Sequence, residues 1–213
     1  KLGRDPSSLS DLIFLQDNKV LPEEHKKSFQ YLLELSPKRI LEIGCGNGSV
    51  LYLFDQSVTS VFGIDYVQKS IEVASKIMPA GNFQCSPAHH IPFNENFDLI
   101  LSNSVFQYFD NIKYAKKVII GALSKLEDNG KFIITDLPDV NSKEEFKKFR
   151  MKEFGLNERE WQERYSTVKH LYYDYEDLKE FVEDMGYKYS VIKPSNYLSK
   201  HQKFKFDLWI EKI

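Results

Sequence analysis

The run Arg39-Ile-Leu-Glu-Ile-Gly-Cys-Gly-Asn-Gly-Ser49 constrains this chain more than any other stretch, because it joins a buried-strand pattern to three alternating glycines and one carboxylate. Ile40, Leu41 and Ile43 form a short apolar run of the kind that enters a parallel sheet covered on both faces. Gly44, Gly46 and Gly48 then admit positive φ and carry no Cβ, so the backbone can press against a ligand before a helix begins near Ser49. A tight strand-to-helix turn without a ligand is the plainer alternative. Three glycines at alternate positions, in a chain with 10 in all, favour the cradle, although the pattern alone names no ligand.

The 213 residues, 42% hydrophobic and 14% aromatic, suffice for one substantial core and predict a single domain. With 29 basic against 31 acidic residues the formal net charge is -2, so no global field draws polyanions and nucleic acid is not a favoured partner. The two cysteines, Cys45 and Cys85, make no CxxC or metal-spaced set, which predicts no metal site and a reducing compartment, the cytoplasm. No stretch approaches the ~18 to 20 apolar residues of a membrane span, and residues 1–10 lack the apolar core of a signal peptide. No membrane partner is expected, and the expected state is a monomer or homodimer.

Apolar runs alternate with amphipathic stretches from residue 39 to 135, the rhythm of βαβ units on a parallel sheet. Strands are predicted at 39–43, 60–64, 82–85, 97–102 and 131–135, and helices at 50–56, 68–78 and 112–126, the last ended by the turn Glu127-Asp-Asn-Gly130. Residues 142–154 and 158–165 are charged and helix-prone and predict an insertion or lid. A further helix at 175–185 stops at Gly186, and two terminal strands follow at 187–193 and 203–211, the second alternating with a period of two that suits a hairpin edge. Residues 10–35 read as one or two helices outside the sheet. The expected divisions are an N-terminal helical cap (1–36), a core that carries the glycine run (37–137), a lid (138–174) and a C-terminal helix and strands (175–213).

Dinucleotide sites also open with a strand and glycines, but their G-x-G-x-x-G spacing would require glycine at position 49, which is Ser49. Glu42 at the strand end would also repel a pyrophosphate. With an acid followed by G-x-G-x-G, the segment Glu42-Ile-Gly44-Cys45-Gly46-Asn-Gly48 resembles the first motif of the class I S-adenosylmethionine-dependent methyltransferases. That ligand carries an ammonium and a sulfonium, which suit a carboxylate, and a carboxylate of its own, which suits helix-start N–H groups. The resemblance implies a Rossmann-like α/β fold with a seven-stranded, mostly parallel sheet and an antiparallel C-terminal strand. S-adenosyl-L-homocysteine would be the product.

Three further features follow in the family's order. Val61-Phe-Gly-Ile-Asp65-Tyr66 is a strand ending in an acid that can accept both ribose hydroxyls, with Tyr66 placed to pack on adenine; a helix N-cap is the alternative role for Asp65. In Ser86-Pro-Ala-His-His-Ile-Pro-Phe93, Ala88 falls on the family alanine whose N–H meets adenine, whereas Pro87 stands where the family has an acid, leaving Ser86 or a main-chain carbonyl to substitute. Strand 97–102 delivers Ser102 and Asn103 to the methionine end, without the Asn/Asp-Pro-Pro-aromatic motif of enzymes that methylate base amines. His89 and His90 are adjacent in a loop with no further ligand at metal spacing, so a border of the adenine pocket or solvent is their expected place.

A protonated acceptor needs a base. His170, in Lys169-His-Leu-Tyr-Tyr-Asp174, is the first candidate, with a cap or an exposed position before the next helix as its alternative role; Asp136 can orient a histidine, bind an acceptor hydroxyl or serve as a turn residue. Gln107, Tyr108, Tyr172 and Tyr173 are candidates for the substrate wall, although aromatic stripes also build cores. Similarity to stand-alone bacterial enzymes for surface carbohydrates or secondary metabolites implies methyl transfer to a small molecule at oxygen. A small amine as acceptor, or a non-catalytic cofactor-binding module, are the alternatives.

Overall fold

The computed structural model describes residues 27, 29–54, 60–165, 170–193 and 200–212. Its strands are β1 (Arg39–Ile43), β2 (Ser60–Asp65), β3 (Asn82–Cys85), β4 (Phe97–Asn103), β5 (Leu126–Pro138), β6 (Lys188–Ile192) and β7 (Lys205–Glu211). Helices α1 (Gln30–Leu33), α2 (Gln68–Ile77), α3 (Ile112–Leu123), α4 (Lys143–Phe154), α5 (Glu158–Tyr165) and α6 (Tyr175–Asp184) connect or cover them. The strands form one sheet in the order β3-β2-β1-β4-β5-β7-β6, parallel except where β7 runs against both neighbours. The expected seven-stranded Rossmann-like sheet is therefore present.

The apolar runs are buried on both faces. Leu41, Ile43, Ile100, Phe132 and Ile134 pack under α3 and α6, while Ile40, Leu99, Leu101 and Ile133 pack under α1, α2 and a 3-10 turn at Leu51–Leu53. In β1 every residue after Arg39 is buried, which a strand covered on one side only would not show.

Four boundaries differ from the sequence reading. The turn at 127–130 interrupts β5 instead of ending α3, because Leu126 is already paired with Phe97 and the register shifts before Lys131 meets Leu99. Helix α3 accordingly stops at Leu123, with the Ser124 N–H donating to the Ile120 carbonyl. Strand β7 is interior and β6 forms the edge, since Phe206, Leu208 and Ile210 are fully buried and Leu208 and Ile210 pair on both sides. Within 50–56, one 3-10 turn replaces the expected helix, and residues 55–56 lie outside the described residues, as do residues 10–26 of the N-terminal helical reading. The two charged helices predicted after strand five are present as α4 and α5.

Candidate functional site

The carboxyl ends of β1, β2 and β4 meet at one edge, where open α/β sheets place ligands. Gly44, Gly46 and Gly48 all adopt positive φ there, at 77°, 53° and 81°. They do different work. A Cβ at Gly44 would lie 2.4 Å from Val105 Cγ2, so Gly44 lets the β4 exit close over the loop. A Cβ at Gly46 would meet nothing within 4 Å; it would fill open space, the mark of a cradle.

Asp65 holds that cradle in shape. Its Oδ2 accepts from the Gly46 N–H at 3.0 Å and its Oδ1 from the Val67 N–H at 2.8 Å. Val67 occupies the N-cap of α2, so Asp65 is not the cap. Each carboxylate oxygen can accept more than one hydrogen bond, so capacity for a pair of ligand hydroxyls remains. Burial raises the Asp65 carboxyl, opposed by the N–H groups of Val67, Gly46 and Tyr66. Tyr66 beside it is 73% exposed, a flat ring open to a ligand.

Glu42 is 2% exposed, and its Oε2 is buried without any hydrogen-bond partner. Burial, and then the charge of Asp65, push its carboxyl well above the ordinary range. Native structures leave few such groups unpaired, so this oxygen points to a missing cation or donor. Asn47 Nδ2, in the glycine loop that follows β1, is equally orphaned. Sequence reasoning passed over Asn47 because a polar residue between glycines looks like an ordinary turn residue.

Glu42→Gln separates these contributions. The raised carboxyl takes up a proton in the folded state, so the ligand-free protein loses stability as pH rises from about 4.3, the unfolded value. The variant is expected to melt higher than the parent at pH 8, with the gap closing towards pH 4 in differential scanning calorimetry.

The remaining cofactor candidates divide. Ala88 packs at the rim of the core, and Ser86 closes its turn by donating to the His90 carbonyl at 2.7 Å. Asn103 accepts from the Thr135 hydroxyl at 2.7 Å. The Ser102 side chain is fully buried and donates to the Ile43 carbonyl at 3.0 Å, so it ties β4 to β1. Cys45 is likewise buried, its Sγ set where a Cβ on Gly63 would lie 2.7 Å away; burial, then Glu42 and Asp65, raise its thiol. His89 Nδ1 meets the Tyr114 hydroxyl at 3.1 Å, and among the described residues no group of three or more His, Cys, Asp or Glu could hold a metal.

On the acceptor side the structure groups the candidates differently from the sequence. The His170 ring stands edge-on to Tyr108 at 5.4 Å, and the Leu171 N–H donates to the Gln107 carbonyl at 2.9 Å. Asp174, not His170, caps α6 by accepting from Glu176. Asp136 is instead held by the Ser104 hydroxyl at 2.5 Å and by Lys205 at 2.8 Å. Ser104 and Asp136 both sit at positive φ, 57° and 67°, a strained pairing at the ends of adjacent strands. Neither Ser104 nor Lys205 is signalled by the sequence, because the β5 bulge that brings them together is a tertiary feature. Tyr173 is not a pocket wall: it is fully buried and donates to the Phe106 carbonyl at 2.7 Å. Tyr172 carries Lys143 of α4 over its ring at 5.3 Å.

A glycine cradle, an orphaned acid at the first strand end and a second acid at the next define a nucleoside-type site in a Rossmann-like sheet with an antiparallel seventh strand. A family model described as a methyltransferase domain matches residues 35–186, and the chain belongs to this family, within the class I S-adenosylmethionine-dependent methyltransferases. It is 28% identical over 121 residues to the demethylmenaquinone methyltransferase of Thermotoga maritima, covering 55% of this chain and 52% of that protein. It is 28% identical over 116 residues to the malonyl-[acyl-carrier protein] O-methyltransferase of Haemophilus influenzae, covering 54% and 44%. The chain thus spans about half the length of these curated relatives. The crystal structure of the plantazolicin methyltransferase BamL, in complex with a triazolic desmethylPZN analog and SAH, superposes with a TM-score of 0.67 at 21% identity, covering 95% of this chain and 90% of that one. Among the described residues no helix is long and apolar enough to cross a membrane.

Proposed function

We propose that this protein transfers a methyl group from S-adenosylmethionine to a hydroxyl oxygen of a small molecule. The observation that carries the cofactor is the unpartnered Glu42 Oε2 beside an open Gly46. An ammonium supplies what the buried carboxylate lacks, whereas a phosphate would be repelled. Asp65 takes the ribose hydroxyls with its remaining lone pairs, Tyr66 lies on the adenine, and the Ala88 N–H meets the ring edge. Asn103 borders the methionine portion, and the Gly44 and Gly48 backbones close the cradle.

S-adenosylmethionine brings a methyl group on a sulfonium, which leaves by in-line displacement. The chain must therefore align an acceptor and exclude water. Gln107, Tyr108, Tyr172 and His170 form the acceptor side, and α4 and α5 cover it as a lid. Asp136, gripped by Ser104 and Lys205, anchors the floor where β4 and β5 end. An oxygen acceptor accords with the O-methyltransferase among the relatives. Surface-carbohydrate or secondary-metabolite modification is the setting we infer.

Isothermal titration with S-adenosylmethionine and S-adenosylhomocysteine tests the reading. Both are expected to bind in the micromolar range, and Asp65→Ala is expected to weaken binding by about tenfold or more, since two hydrogen bonds to a charged group are lost. A folded protein that binds neither compound would sink the assignment.

A further inference from the structure

The strand register carries a polar line away from the cofactor cradle. Glu42 pairs with Leu101, Leu101 with Ile133 and Ile133 with Trp209, so these four residues form one row on the sheet face under α1. Nearer the strand ends Asn103 pairs with Thr135, and on β7 Asp207 stands two residues before Trp209 on the same face of the strand. The Trp209 Nε1–H is buried without a partner, as Glu42 Oε2 is at the other end of its row. Tyr31 of α1 stacks on Trp209, ring centroids 5.9 Å apart. Asp207 Oδ1 accepts the Asp136 N–H at 2.9 Å, holding the β5 bulge, which leaves Oδ2 for another donor.

Resting on the methyl-transfer reading above, we propose that the acceptor hydroxyl binds between Tyr31 and Asp207, and that the Asp207 carboxylate receives its proton. The acceptor oxygen forms its bond to the methyl carbon as the sulfur–carbon electron pair returns to sulfur, and the O–H proton passes to Asp207, so charge and atoms balance. Asp207 shares the sheet face of Glu42 and sits at the strand ends beside Asp136, whose N–H it accepts. Asp136 from β5 gives Asp207 its N–H, and the charges of Asp136 and Lys205 act on Asp207 as that of Asp207 acts on Tyr31 of α1. Burial, then Asp136, push its carboxyl up to about 6, against the Asp136 N–H and Lys205, a value matched to a base at neutral pH. Burial, then Asp207 and Asp136, raise the Tyr31 hydroxyl, so it stays protonated and can donate. Two carboxylates against one lysine select a neutral hydroxyl over an anionic acceptor.

Trp161→Phe leaves Trp209 as the only indole and a direct reporter of this station. S-adenosylhomocysteine is titrated first by calorimetry; its failure to bind would count against the function, not against the acceptor station. The loaded protein is then titrated with phenol and benzoate, one ring with two head groups, while Trp209 emission is followed. Phenol is expected to bind about tenfold more tightly than benzoate, and Asp207→Asn is expected to weaken phenol about tenfold with S-adenosylhomocysteine binding unchanged. Asparagine retains an oxygen for the Asp136 N–H. If Asp207→Asn fails to fold, the pH profile of phenol binding decides: affinity is expected to fall as pH drops through about 6. Absence of phenol binding, equal or tighter binding of benzoate, or a flat profile between about pH 5 and pH 7 would each overturn the proposal.

Discussion

Gly46→Asn leaves the protein folded and weakens S-adenosylhomocysteine binding by at least about 100-fold, about 2.7 kcal/mol. The expectation follows from what surrounds the glycine. Its φ is 53°, in the left-handed region that asparagine tolerates better than other side chains, so the backbone cost is small. No protein atom lies within 4 Å of an added Cβ, so the core is undisturbed. The new side chain instead fills the open space over the loop that the proposed function assigns to the cofactor, while the Gly46 N–H bond to Asp65 persists as a backbone bond. Gly44→Ala is the contrasting control. There the Cβ would press on the stiff, branched Val105 at 2.4 Å with φ at 77°, so overpacking adds to left-handed strain and about 2 to 4 kcal/mol of stability is lost. Calorimetric titration beside urea unfolding separates the two outcomes. A Gly46→Asn protein that still binds at parental affinity would remove this loop from the site.

Tyr173→Ala is expected to destabilise the protein by about 3 to 5 kcal/mol, measured as a lower urea midpoint. The ring is fully buried, and the residue joins three segments. Its hydroxyl donates to Phe106, its N–H donates to the Pro138 carbonyl at 2.8 Å, and its carbonyl accepts from Val140 at 3.0 Å. It therefore clamps the 3-10 turn at Phe106–Tyr108 to the end of β5. Tyr173→Phe keeps the ring and leaves the Phe106 carbonyl unpaired, which costs about 1 to 3 kcal/mol. If Tyr173 lined the substrate pocket instead, both variants would change catalysis and leave the urea midpoint in place.

Legibility followed the range of the interactions. The glycine loop, the strand-end acids and the alternation of strands and helices are written in consecutive residues, because local backbone geometry and amphipathic period decide them. Asp65 was readable as an acid at the end of the second strand, but its hydrogen bond to Gly46 was not, since that contact spans two strands. Tyr173 and Ser102 were misread for a related reason. Residue type offered a polar tip, and only the packing shows that each tip is spent on a carbonyl, of Phe106 and of Ile43. The turn at 127–130 carried a true left-handed residue, Asn129 at φ 63°, yet its place inside β5 depends on pairing with β4.

By itself the sequence determined the sheet's parallel core, the cradle of Gly44, Gly46 and Gly48, and the two acids that flank it, because each is set by residues within one strand and its following loop. Tertiary structure alone decided which strand is interior, which polar groups are left without partners and which residues meet across the sheet. Asp136 came to rest with Ser104 and Lys205, and Asp207 came to share a face with Glu42, through a β-bulge and an antiparallel seventh strand. Such pairings join residues far apart in the chain, and their energy comes from burial and register that no local pattern encodes.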